Sequence, residues 1–72
     1  MEFYERIRAL REDNDLNQAT IAKELNVMQS YYSKQERGAK PFQIEQIITL
    51  CNYYKVSADY ILGLPKGLKH PR

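Results

Sequence analysis

The 72-residue chain has little of several things: one cysteine, one histidine, no tryptophan, three glycines and three prolines. A lone cysteine, Cys51, allows no intramolecular disulfide and no paired-cysteine metal site, and it suits a reducing cytoplasm. Cys51 falls on an apolar helical stripe and reads as a small core residue. The only histidine, His70, is far in sequence from Cys51. Acidic residues are scattered with no clustered pair, and there is no glycine-rich phosphate loop. An enzyme is therefore not expected, nor a metal or cofactor. No apolar run approaches the ~20 residues of a membrane span. The start, Met1 to Arg6, lacks the basic segment and apolar stretch of a secretory leader.

What is present is a chain of one-domain size, 43% hydrophobic. A domain this small buries only about 60% of its unfolded surface, so its core is thin. Net charge is +2, weak support on its own for an anionic partner. The distribution is more telling. Bases and acids nearly balance up to Gln35. Beyond it stand Arg37, Lys40, Lys55, Lys66, Lys69 and Arg72 against Glu36, Glu45 and Asp59. Gly63, Pro65, Gly67 and Pro71 crowd the last ten residues, so residues 1–64 read as the domain. Residues 65–72 read as a tail, either a solvated end or a phosphate contact.

Apolar spacing predicts five short helices and no strand. The first spans Glu2–Asp13, with Phe3, Ile7 and Leu10 on one face. The second spans Gln18–Leu25, capped by Asn17, with Ile21, Ala22 and Leu25 inward. Asn26 tolerates the left-handed turn that follows. The third runs from Met28 to just before Gly38, with Tyr32 inward, helped by Val27; its remaining surface is polar. The fourth spans Gln43–Tyr54 on a broad stripe of Ile44, Ile47, Ile48, Leu50, Cys51 and Tyr54, and is expected to be the most buried. The fifth, Ala58–Leu62, is capped by Ser57 and closed by Gly63 and Pro65. Tyr54 and Tyr60 are expected in the core.

The informative stretch is Leu16–Gly38, LNQATIAKELNVMQSYYSKQERG. Two short helices meet across Asn26-Val27-Met28, with small Ala22 where they must approach closely. The second presents a polar face at its N-terminal end. Such a helix fits a DNA major groove roughly 12 Å wide. The same face can equally be an ordinary solvated one.

Four pieces in order, IRALRED, LNQATIA, SKQERG and VSADYILG, make residues 3–64 resemble the Cro/CI-type (Xre-like) helix-turn-helix regulators. The resemblance implies an all-α, compact, five-helix lambda-repressor-like domain in which helices 2 and 3 form the helix-turn-helix. It also implies sequence-specific double-stranded DNA binding as a bacterial or phage transcriptional regulator. Met28, Gln29, Ser30 and Lys34 match base-facing positions. An amide such as Gln29 can contact adenine N6 and N7 together, Lys34 can donate to guanine or to a phosphate, and Met28 can touch a thymine methyl. Asn17, Gln18, Tyr31, Lys40 and Gln43 match backbone-clamping positions, with Gln18 also supporting the start of the recognition helix. Arg11 and Glu36 match a structural salt bridge. Tyr53, Ile61 and Leu64 are candidates for a dimer face, which would suit a palindromic operator. Repression by occupancy is the simpler mode, since no sensor domain is present.

Three departures stand out. Met28 replaces a Ser or Thr cap, Asn26 replaces a common glycine, and Gln35 replaces an aromatic or aliphatic residue, which is expected to loosen helix 3 against the core. Other readings on the same fold are a DNA-binding antitoxin, the N-terminal part of a longer regulator, and a protein-interaction module.

Overall fold

Helix starts follow the local code closely. In the computed structural model, which describes residues 2–64, five helices and no strand are found: α1 (Phe3–Asp13), α2 (Gln18–Glu24), α3 (Gln29–Glu36), α4 (Ile44–Tyr54) and α5 (Ala58–Leu62). Asn17 Oδ1 accepts from the Thr20 N–H at 2.8 Å, and Ser57 Oγ from that of Tyr60 at 3.2 Å. Reaching back, Glu5 and Gln46 accept from the N–H groups of Glu2 and Gln43 at 2.9 and 2.8 Å. Only α3 starts without such help: Met28 occupies its cap and makes no side-chain cap bond.

All five helices end the same way. A residue of positive φ follows each: Asp15 (56°), Asn26 (58°), Gly38 (79°), Lys55 (59°) and Gly63 (70°). The next residue's N–H then returns to a carbonyl five back, as in Val27 to Ala22 at 2.9 Å and Val56 to Cys51 at 3.1 Å. Asn26, Gly38 and Gly63 are legible as such stops. Asp15, a turn former, is tolerated there too, and Lys55 is the costlier one, by roughly 1–2 kcal/mol. The gain lies one residue on, where Leu16 and Val56 pack against the core. Gly38 has a second reason to lack a side chain: a Cβ there would lie 2.6 Å from the Tyr4 ring.

The core is Ile7 and Leu10 of α1, Ile21, Ala22 and Leu25 of α2 and its end, Tyr32 of α3, Ile47 and Leu50 of α4, and Ile61 of α5. Each fully buried aliphatic side chain contributes about 1.5–3 kcal/mol. α1 touches both α3 and α5, α2 packs on α3, and α4 packs on α5. Phe42 bridges Phe3 and Tyr32 edge-on, with centroids 5.9 and 6.4 Å away.

Four expectations are corrected. Ile44 and Ile48 lie outside the core, 72% and 54% exposed. At 100° per residue they sit about 90–130° round from the centre of the Ile47–Leu50–Tyr54 face. Tyr60 is half exposed. Ile61 is completely buried against the core, so it belongs to no outer dimer face. Gln35, far from loosening α3, is fully buried. Its Nε2 donates to the Pro41 carbonyl at 2.8 Å and to Gln46 Oε1 at 2.9 Å. Its Oε1 is buried without a partner, so the two donated bonds offset only part of the cost of burying the amide, and they strap α3 to the following loop and to α4.

Candidate nucleic-acid interface

The α2–α3 pair is organised around one carboxylate. Glu36 ends α3, where the helix dipole disfavours an acid, and its side chain is only 1% exposed. Arg11 of α1 meets it in a two-toothed ion pair, Nε to Oε2 at 2.7 Å and Nη2 to Oε1 at 3.1 Å. The third guanidinium nitrogen, Nη1, donates to the Leu16 carbonyl at 2.9 Å. Gln18 Nε2 of α2 donates to Glu36 Oε1 at 3.1 Å. Three helices therefore converge on Glu36.

Burial pushes the Glu36 carboxyl up, but the hydrogen bonds from Arg11 and Gln18 and the Arg11 charge outweigh it. The group is held below the usual carboxylate range. Beneath it, the Tyr32 hydroxyl has no hydrogen-bond partner of good geometry. Burial first, and then the approach of its hydroxyl to the Glu36 carboxylate and that group's charge, raise it above the ordinary tyrosine range. Tyr54 is likewise pushed up to about 12 by burial and by Tyr53.

With Tyr32, Gln35 and Glu36 turned inward, the opposite side of α3 is free. Gln29, Ser30 and Lys34 are exposed, Tyr31 is half-buried, and Met28 is 76% exposed. Met28, Ser30, Tyr31 and Lys34 line one shallow groove with Asn26 and Val27. Sequence reasoning missed Asn26 and Val27 as groove walls; the turn itself was the signal, since it must lie beside the start of α3. It also missed the Gln35–Gln46 strap, which no hydrophobic period reveals.

The remaining candidates are dispersed. Asn17 is exposed, with its carbonyl oxygen committed to Thr20. Gln18 is half-buried and engaged with Glu36. Lys40 lines a separate depression with Phe3, Tyr4 and Phe42. Gln43 is exposed at the start of α4. Tyr53 and Leu64 are exposed, the first packed edge-on against Tyr54, the second beside Arg6. The tail cations Lys66, Lys69 and Arg72 lie outside the described residues, as does the expected tail at 65–72. Among the described residues no helix is long and apolar enough to cross a membrane.

This arrangement is a helix-turn-helix: two helices locked together at the back, the second with a free polar face. Residues 2–61 match the helix-turn-helix domain family, and the chain belongs to it. Over 62 residues it is 32% identical to an uncharacterized HTH-type transcriptional regulator of Bacillus subtilis (strain 168), YobD; the match covers 86% of this chain and 55% of the relative. The chain thus spans about half the length of that relative. No solved structure gives a significant match.

Proposed function

We propose that the chain is a sequence-specific reader of double-stranded DNA, of the Cro/CI type, that regulates transcription by occupying an operator. The observation that carries this reading is the division of α3. Its inner face is fixed by Tyr32, Gln35 and Glu36, while Gln29, Ser30 and Lys34 are free beside an exposed Met28. A rigidly held helix with amide, hydroxyl and ammonium groups outward is suited to base edges in the major groove. In this reading Gln29, Ser30, Lys34 and Met28 contact bases. Asn17, Tyr31, Lys40 and Gln43 contact the sugar-phosphate backbone. Gln18 shares its amide between Glu36 and a phosphate, and Arg11 and Glu36 position α3. Residues 1–64 form the binding domain and 65–72 a basic tail. Tyr53 and Leu64, without Ile61, remain the candidate contacts for a homodimer on a palindromic site.

Selection of binding sites from a random duplex library at near-physiological salt tests this. The expected result is an enriched inverted repeat, its half-sites about 10–11 bp apart or a multiple. Gln29→Ala should relax preference at one base per half-site by about 1–3 kcal/mol. Binding that is salt-sensitive but without enrichment would reject a sequence-specific operator reader.

A further inference from the structure

We infer that Gln35 and Gln46 are positioning residues for sequence recognition: the hydrogen bond between them sets the register of α3 against the start of α4. The inference rests on the DNA-binding reading above. It adds two residues that touch no DNA but hold apart, at a fixed spacing, the segments that do.

One atom joins the two segments. Gln46 Oε1 accepts from Gln35 Nε2 at 2.9 Å and from the N–H of Gln43, the N-cap of α4, at 2.8 Å. Gln35 Nε2 also donates to the Pro41 carbonyl at 2.8 Å. Lys40 and Gln43 flank that carbonyl, and Gln35 follows Lys34 directly. The bonds therefore fix both the rotation of α3 and its distance from the loop. Otherwise the loop is held to α3 by the N–H groups of Gly38 and Ala39 at its start, and by Phe42 against the Tyr32 ring.

The chemistry of this contact is the second observation. Apolar packing would join the same elements, and it is non-directional. A hydrogen bond weakens steeply once bent below about 120°, so it selects one register. The chain completely buries the Gln35 amide for this purpose and leaves its Oε1 unpaired. A local rule broken in this way tends to mark function, and setting register is the best-attested use of a buried polar group. DNA reading needs such a register. Phosphate contacts seat the protein on the duplex and base contacts read it, and such contact groups must be held to within about 0.5 Å by their supporting shell.

The test compares affinity for the most enriched duplex of the selection with affinity for a scrambled duplex at the same salt. The ratio is the readout, because partial unfolding lowers both affinities by the same factor. Gln46→Met removes the shared acceptor from a half-buried site, and should lower the ratio about tenfold, within the worth of one base contact. Gln46→Glu keeps an acceptor for both donors, and its added charge acts on both duplexes alike, so it should preserve the ratio. Repeating the selection with Gln46→Met should show preference weakened across the bases read by α3, whereas Gln29→Ala affects one. An unchanged ratio in Gln46→Met, an equal fall in Gln46→Glu, or a loss confined to one base would overturn the inference and leave DNA reading intact. Failure of the unaltered protein to enrich any duplex would overturn both.

Discussion

Between Gln29 and Glu36, α3 carries two tyrosines and six polar residues, yet it buries Tyr32, Gln35 and Glu36. Between Ile44 and Tyr54, α4 is rich in isoleucine and leucine, yet it buries only Ile47 and Leu50 and turns Ile44 and Ile48 outward. The difference teaches that burial here follows available partners rather than side-chain hydropathy. The inner face of α3 meets Arg11, Gln18, Gln46 and the Pro41 carbonyl. The outer flank of α4 meets no other helix.

The contrast can be broken most sharply at Glu36. Glu36→Ala leaves the Arg11 guanidinium largely buried and unpaired, and should cost about 3–5 kcal/mol in urea unfolding. A double change, Arg11→Met with Glu36→Leu, should recover most of that loss. A small cost for Glu36→Ala would mean that polar anchoring does not hold α3. The same pair sets an acid limit. Because the folded carboxyl is held low, its contribution is complete above the ordinary value of 4.5 and is lost as pH falls below that through the folded value. Glu36→Gln should remove that part of the acid sensitivity in a pH series of melting temperatures.

Gln35→Met comes next. It keeps the volume but leaves the Pro41 carbonyl without its partner, and should cost about 1–3 kcal/mol. If it stabilises the fold instead, the strap contributes nothing. Met28→Ser should gain about 1 kcal/mol in the same unfolding assay by capping α3. The smallest effect belongs to α4: Ile48→Lys, exposed and mid-helix, should stay within about 0.5 kcal/mol in the same unfolding assay. A larger loss in concentrated protein alone would show that a second molecule covers this flank.

Much of the fold was legible because helix ends are local. Asn17, Ser57, Asn26, Gly38 and Gly63 announce caps and stops through their own chemistry, without reference to distant residues. Asp15 does so as a turn former, but Lys55 does not, since its left-handed backbone is justified only by where Val56 then packs. Likewise the six-residue stripe of α4 is real, but only part of so wide an arc faces the core, and Ile44 and Ile48 fall outside it. Ile61 and Tyr60 are adjacent and both apolar in character. Only the rotation of α5 against α1 decides that the first is core and the second surface. Gln35 was illegible for a different reason: a polar residue is buried by its hydrogen-bond partners, and these lie six and eleven residues away. In the candidate interface, the exposed positions of α3 could be read from its polar period, but the walls of the groove beside Met28 required the turn in three dimensions.

The two faces of α3 interleave without sharing a position: residues 29, 30 and 34 point one way, and 32, 35 and 36 the other. On the proposed reading, stability and recognition are therefore written in separate letters of the same eight-residue word. Changes at the outward letters fall among surface substitutions, which usually move stability by no more than about 0.5 kcal/mol. If those letters read DNA as proposed, a lineage carrying this helix can drift to a new operator one substitution at a time, with a folded protein at every step.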